Sequence, residues 1–248
     1  MLAIIGGSGL TQLANLQVTR RKTVSTPYGK PSGPLVFGTL QGRAVVFLPR
    51  HGANHTIPPH AVNYRANLWA LREQKVPDVV SVATVGGIRA GLAPGTLVVP
   101  DQIIDYTHGR PSSYSGTRGQ GVLHIDFTRP YCEALRRRLL DSAVAAGEAA
   151  VDGGTYAATQ GPRLETAAEI DRIERDGGDI VGMTGMPEAA LAREIGLCYA
   201  AIVVVVNHAA GRGASTQGIR LQDAEAITKR SMARILRILD RLAVSNGD

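Results

Sequence analysis

Apolar runs along this chain are separated by amphipathic stretches and glycine-rich breaks, a pattern that predicts a sheet covered by helices. Residues 2–5, 79–83 and 202–206 are bulky, mostly β-branched and almost free of polar alternation, as befits strands covered on both faces. Residues 18–23, 34–40 and 43–48 also read as strands, with Gln41-Gly42 as the hairpin turn between the last two. Shorter strands are expected at 97–100, 154–159 and 179–181. Helical spacing appears over 58–74, 130–146, 165–174, 187–194 and 221–242, the last with Ile227, Met232, Ile235, Leu236 and Leu239 facing the core. Residues 101–120 form a long polar loop, a length that is usually functional or interfacial. No repeat or linker interrupts the pattern, so residues 1–248 are expected to form one α/β domain, β-rich early, with a mixed sheet between helices.

The polar candidates gather at strand ends. Gly6-Gly7-Ser8-Gly9 follows the first strand, where small residues let backbone N–H groups converge on an anion. It lacks the spacing of a dinucleotide fingerprint. Arg50-His51 follows the 43–48 strand; an arginine fork offers planar donors to an oxyanion, and a histidine adds a further donor. Thr84 to Ile88 reads as a second glycine turn just past a strand. Glu165 stands at a helix start, where it serves either as a dipole-favoured cap or as a functional carboxylate. Thr184 can cap the next helix, bind an anion there, or do both. Asn207 ends the 202–206 run as a turn residue or as a ligand-reading amide, since ligands collect beyond the carboxyl ends of strands in α/β sheets.

Composition narrows the chemistry. The formal net charge is +6, yet aromatics make up 4% of the chain and leave few platforms for stacking a nucleic acid strand. A small anionic ligand is the expected partner, with Arg136-Arg137-Arg138 a solvated helix face. No run approaches a membrane span and no signal peptide opens the chain, which points to the cytoplasm. Cys132 and Cys198 lack metal-ligand spacing and are expected to be buried thiols.

Read in order, GGSGL, RHG, TVGG, GPRLET, GMTGMPE and VVVVNHAAG resemble the trimeric purine nucleoside phosphorylases, and within them the methylthioadenosine and methylthioinosine phosphorylase branch. The resemblance covers nearly the whole chain. It implies a single α/β domain around a mixed, partly barrel-like sheet. It also implies a homotrimer that binds a purine nucleoside and inorganic phosphate and uses no cofactor and no metal. Ser8, Arg50, His51, Ala83, Thr84 and Thr184 match the family's phosphate site, and Met183 matches the methionine under the ribose. Asn207 and Glu165 match the residues facing the purine, with Leu164, His208 and Ala209 in the same motifs. His124 falls where a neighbouring subunit closes the pocket.

The implied reaction is attack of phosphate on C1′ of a ribose, through an oxocarbenium-like state. Asn207 can donate to O6 and N7 of a 6-oxopurine, and the Glu165 carboxylate can accept from N1–H; adenine would set a lone pair against that carboxylate. Adenine-specific relatives carry aspartates where Asn207 and Ala209 stand and a small hydroxyl residue where Glu165 stands. At the sugar's 5′ end, inosine and guanosine phosphorylases carry a histidine where Leu221 aligns, and a leucine suits a methylthio group. Together these point to 5′-methylthioinosine, with methylthioadenosine, inosine or guanosine as the alternatives. Two departures stand out: Ala83 replaces a phosphate-binding threonine, and Leu164 replaces an aromatic that packs on the purine. The chain ends soon after its last helix, so no tail is expected to reach a neighbour's 5′ pocket. A nucleoside hydrolase would need a water-activating base, and a non-catalytic nucleoside-binding module would bind without consuming phosphate.

Overall fold

The computed structural model describes residues 1–116 and 121–245. A branched sheet of eleven strands forms its centre. The early part is a run of neighbours: β1 (Leu2–Gly6), β2 (Gln17–Lys22), β3 (Leu35–Leu40) and β4 (Arg43–Pro49), ordered β2-β3-β4-β1. The middle of the sheet is β5 (Asp78–Gly87), which lies parallel to β1 on one side and to β11 (Cys198–His208) on the other. Strands β6 (Leu97–Val99) and β8 (Ala150–Asp152) extend the β11 edge, while β10 (Ile180–Gly182), β9 (Thr155–Ala158) and β7 (Gln102–Asp105) continue from β5 along the other branch. The sheet is open and branched; its main path runs from β2 to β7 without closing on itself.

Period-two alternation on apolar strands gives the sheet two buried faces. Val79, Ala83 and Val85 of β5, with Ala201, Val203 and Val205 of β11, join one core, shared with α1 (Tyr64–Glu73) and α4 (Gly185–Glu194). Val80 and Val82, with Ala200, Ile202 and Val204, join the other, shared with α2 (Glu133–Ala145) and α5 (Leu221–Ser245). The remaining helix, α3 (Ala167–Arg175), opens with a capping box between Thr166 and Glu169. That pair caps the helix, so Glu165 does not.

Several expectations change. The turn expected at 84–88 is strand: Thr84 to Gly87 continue β5, because Gly86 and Gly87 pair with Val181 and Ile180 on one side and with Asn207 and His208 on the other. Likewise Asn207 lies inside β11, at a bulge between Val205 and Asn207, and not after its end. β7 sits in the stretch expected to be loop, of which residues 117–120 lie outside the described residues, and β8 carried no clear strand signal. The arginine run is not a solvated face throughout. Arg136 is buried and donates to the carbonyls of Val99 and Pro100 and to Glu133 and Asp152, and Arg138 pairs with Asp78; Arg137 alone of the three is largely exposed. Cys132 and Cys198 form a disulfide, because α2 starts beside the first residue of β11 and brings their Cα atoms to 5.2 Å. Among the described residues no helix is long and apolar enough to cross a membrane.

Candidate active site

A cavity of about 610 Å³ opens where the sheet splits. β1 pairs with β5 only as far as Ser81, and β10 approaches the same side of β5 from the opposite direction, pairing at Gly86 and Gly87. Val82 to Val85 therefore have a strand neighbour in β11 alone. The carboxyl ends of β1 and β10 bring Ser8 and Thr184 to this gap, and β4, beside β1, brings Arg50 and His51. Ala83 and Thr84 form the floor between them.

Arg50 is fully buried. Its Nε and Nη2 donate to the two oxygens of Glu188 at 2.7 and 2.9 Å, Nη2 also to Ser81 Oγ at 2.6 Å, and Nη1 to the Val82 carbonyl at 3.1 Å. Tyr199 donates its hydroxyl to the same carboxylate at 2.8 Å. Burial alone would lower the arginine's pKa, but Glu188 outweighs it and holds the guanidinium charged. Gly7 is required here: a Cβ would lie 2.7 Å from Arg50 Nη1, so the bare backbone lets the β1 loop close over the guanidinium. His51 Nδ1 lies 2.8 Å from the Ile57 carbonyl and must donate to it. Burial, with Arg50 beside it, pushes the imidazole down to about 4, so the ring is neutral near pH 7 and its Nε2 is an acceptor. That differs from the further donor expected of this histidine. Thr184 occupies the N-cap position of α4, but its side chain makes no capping bond, and its N–H reaches Tyr156 Oη at 3.3 Å.

At the other end, the Glu165 carboxylate accepts a 2.6 Å hydrogen bond from Thr159 Oγ1. Asn207 donates from Nδ2 to the His208 carbonyl at 2.7 Å. Leu164, Met183, Ala209 and Leu221 line the same cavity, with Leu221 in the first turn of α5. Gly161, at a φ of 58°, leaves room for Met183, whose sulfur would sit 2.4 Å from a Cβ there. Two expected residues lie elsewhere. His208 follows Asn207 along the strand, so its ring turns to the opposite side, packs on Gly213 and lines a neighbouring cavity. His124 is exposed and does not line this cavity within its own chain. Among the described residues no group of three or more His, Cys, Asp or Glu is placed to hold a metal ion.

A family model described as the phosphorylase superfamily matches residues 1–243. The chain belongs to that superfamily. A probable S-methyl-5′-thioinosine phosphorylase from Pseudomonas syringae pv. tomato is 50% identical over 240 residues, covering 97% of each chain. A probable 6-oxopurine nucleoside phosphorylase from Moorella thermoacetica is 47% identical over 85% of this chain and 80% of its own. Among solved structures, methylthioadenosine phosphorylase from Schistosoma mansoni in complex with adenine superposes with a TM-score of 0.94 at 33% identity, covering 99% of this chain and 91% of that one.

This superfamily member places three further groups at the cavity or directly behind it. The His55 ring packs against that of His51, tilted by 51° with centroids 4.6 Å apart, and its Nε2 lies 3.5 Å from Ser8 Oγ. It follows Arg50-His51 in the sequence, where no task was assigned to it. Glu188 and Thr159 hold Arg50 and Glu165. An acid within the mostly apolar first turns of the segment that becomes α4 was the available signal for Glu188; nothing marked Thr159.

Proposed function

We propose that this chain catalyses phosphorolysis of S-methyl-5′-thioinosine to hypoxanthine and 5-methylthioribose 1-phosphate. The observation that carries the reading is the meeting of Glu165 and Asn207 in one cavity with Leu221 at its edge. A carboxylate facing N1 and an amide facing O6 and N7 match a 6-oxopurine, and a leucine suits a methylthio group where a 5′-hydroxyl would find no partner. The relatives named above as acting on methylthioinosine and 6-oxopurine nucleosides support the same choice.

In this reading phosphate lies against Ser8, Thr184, the floor at Ala83 and Thr84, and the Arg50–His51 corner. One phosphate oxygen bonds to C1′ as the C1′–N9 bond breaks; the bond's electron pair passes to the purine, which takes up a proton from solvent while the product ester gives its remaining P–OH proton back to solvent. Positive charge grows on the ribose beside the phosphate dianion, and negative charge grows on the base where Asn207 donates. Catalysis is thus preorganised electrostatics. Neutral His51, with its Nδ1 proton committed to Ile57, accepts at Nε2 a hydrogen bond from the one P–OH group that a phosphate dianion still carries. Phosphate is a co-substrate and the step needs no further cofactor.

The assembly in this reading is a homotrimer in which a neighbour's His124 closes the cavity over the exposed Leu164 side, and scattering in solution tests the subunit number. Its substrates place it in the cytoplasm, where thiols are kept reduced, which sets the Cys132–Cys198 bond against that location. Rapid alkylation of thiols in lysed cells tests it, since the cytoplasmic reading expects both cysteines labelled. The deciding experiment for function is kcat/KM with phosphate for methylthioinosine, methylthioadenosine and inosine. A preference for methylthioadenosine overturns the Glu165 and Asn207 argument, and base release without phosphate overturns phosphorolysis.

A further inference from the structure

We infer that Arg110 is a positioning residue that holds the two walls of the cavity in register. It lies beyond β7 in the polar stretch, is 8% exposed and is not among the cavity-lining residues. Its Nε donates to Gln160 Oε1 at 3.1 Å, and Nη2 donates to the carbonyls of Thr159 and Gln160 at 3.2 and 2.7 Å. Nη1 donates to the carbonyls of Met183 and Met186 at 2.9 and 2.7 Å and to Tyr64 Oη at 3.4 Å. The Thr159 and Gln160 carbonyls belong to the turn that delivers Leu164 and Glu165. The Met183 and Met186 carbonyls bracket Thr184 at the start of α4, where Met186 departs from helical geometry with φ −118° and ψ 142°.

One planar fork therefore ties the purine wall to the phosphate wall. Lysine cannot reproduce this, because a single ammonium nitrogen cannot span acceptors on two segments. An apolar replacement takes this donor away from the buried Met186 carbonyl and from the part-buried carbonyls of Thr159, Gln160 and Met183. All the acceptors in these bonds are neutral oxygens, so the guanidinium is solvated by dipoles aimed at it from both walls.

The consequence rests on the phosphorolysis reading. The purine wall fixes the nucleoside and the phosphate wall fixes the nucleophile, so the distance between phosphate oxygen and C1′ depends on how the walls are joined. A misplacement of about 1 Å costs roughly 100-fold in rate. Each ligand still meets its own wall, so binding changes less than turnover.

The test compares wild type with Arg110→Lys and Arg110→Ala. The expected result is kcat lower by about 100-fold in both, with KM for phosphate and for nucleoside each within about threefold of wild type, and partial recovery of Arg110→Ala by added methylguanidinium. Arg110→Lys keeps the charge and most of the stem, and so serves if Arg110→Ala does not fold. Amide hydrogen exchange without substrate is the second measurement: residues 159–165 and 183–186 should exchange faster together, by about tenfold, with the rest of the chain unchanged. Wild-type kcat in Arg110→Lys, a rise in KM with kcat intact, or faster exchange in one segment alone overturns the inference. If the wild type releases no base with phosphate, the functional reading fails and the exchange measurement still decides the clamp.

Discussion

At the end of the cavity assigned to phosphate, Arg50 is fully buried and each of its three nitrogens is held by protein atoms, whereas at the purine and 5′ end Leu164 and Leu221 are 41% and 67% exposed. The first end is finished inside one chain. Its Arg50 side chain is fixed in place by Glu188, Ser81 and Val82, and its His51 ring by Ile57, before any ligand arrives, which spares reorganisation during the reaction. The second end is an open rim whose polar groups are steadied by single contacts, Thr159 for Glu165 and a backbone carbonyl for Asn207. The charge balance differs as well. Arg50 is already neutralised by Glu188 and His51 is uncharged, so this end recognises phosphate by directed hydrogen bonds more than by net charge. A dianion held in that way keeps its negative charge available to the ribose.

Removing the charge of Glu188 tests that difference most severely. Glu188→Gln leaves Arg50 as a buried, unmatched cation and should cost about 3–5 kcal/mol of stability, read by chemical unfolding, with a raised KM for phosphate. Glu165→Gln, on the half-buried rim, should cost about 1 kcal/mol or less. Equal losses would break the contrast between the two ends.

A pH series probes the same end next. His51 sits at about 4 in the folded chain and near 6.5 unfolded, so below 6.5 the unfolded chain binds a proton that the native state excludes. Stability from this group is full above pH 6.5 and is lost as pH falls toward 4, by about 3 kcal/mol at most. His51→Gln should flatten the slope of unfolding free energy between pH 4 and 6.5. An unchanged slope would mean that the histidine is not held neutral.

How much of this was legible follows from which interactions are local. The valine run of β11, the Arg50-His51 pair and the Thr184 segment can be read from composition and order, and the sheet places them around one cavity. What escaped depends on contacts distant in sequence. Arg50 and Glu188 are 138 residues apart, and no spacing rule joins them. The strand state of Thr84 to Gly87 is imposed by β10 and β11 against the glycines' own preference for turns. The disulfide depends on where α2 lands, and Arg110 on carbonyls of two other segments. The six motifs supplied order where local physics did not; one of them ends in Glu188, but order alone does not pair it with Arg50, and Ser81, Thr159 and Arg110 stand outside all six.

Specificity on the rim should respond more gently. Asn207→Asp exchanges an amide donor for a carboxylate and should move the ratio of kcat/KM for methylthioinosine over methylthioadenosine by about 10- to 100-fold toward the 6-aminopurine. The shift stays incomplete, because Glu165 still faces N1. Stability should change little, since Asn207 is half-buried and bonds only to its neighbour's carbonyl. A shift toward the 6-oxopurine would reverse the roles assigned to the two residues.

The smallest effect is expected at Leu221. It stands in the first turn of α5 with most of its surface exposed, so Leu221→His adds one donor to a 5′-hydroxyl without disturbing a packed core. A single hydrogen bond at a wet rim is worth about 1 kcal/mol, so kcat/KM for inosine should rise by no more than about fivefold. The same change removes an apolar contact from the methylthio group, and the methylthioinosine value should fall by a similar factor. If neither substrate responds, the 5′ group is read by other residues, and the rim belongs to a neighbouring subunit more than to α5. A response many times larger would show that this end closes on its substrate as tightly as the Arg50 corner does before one arrives.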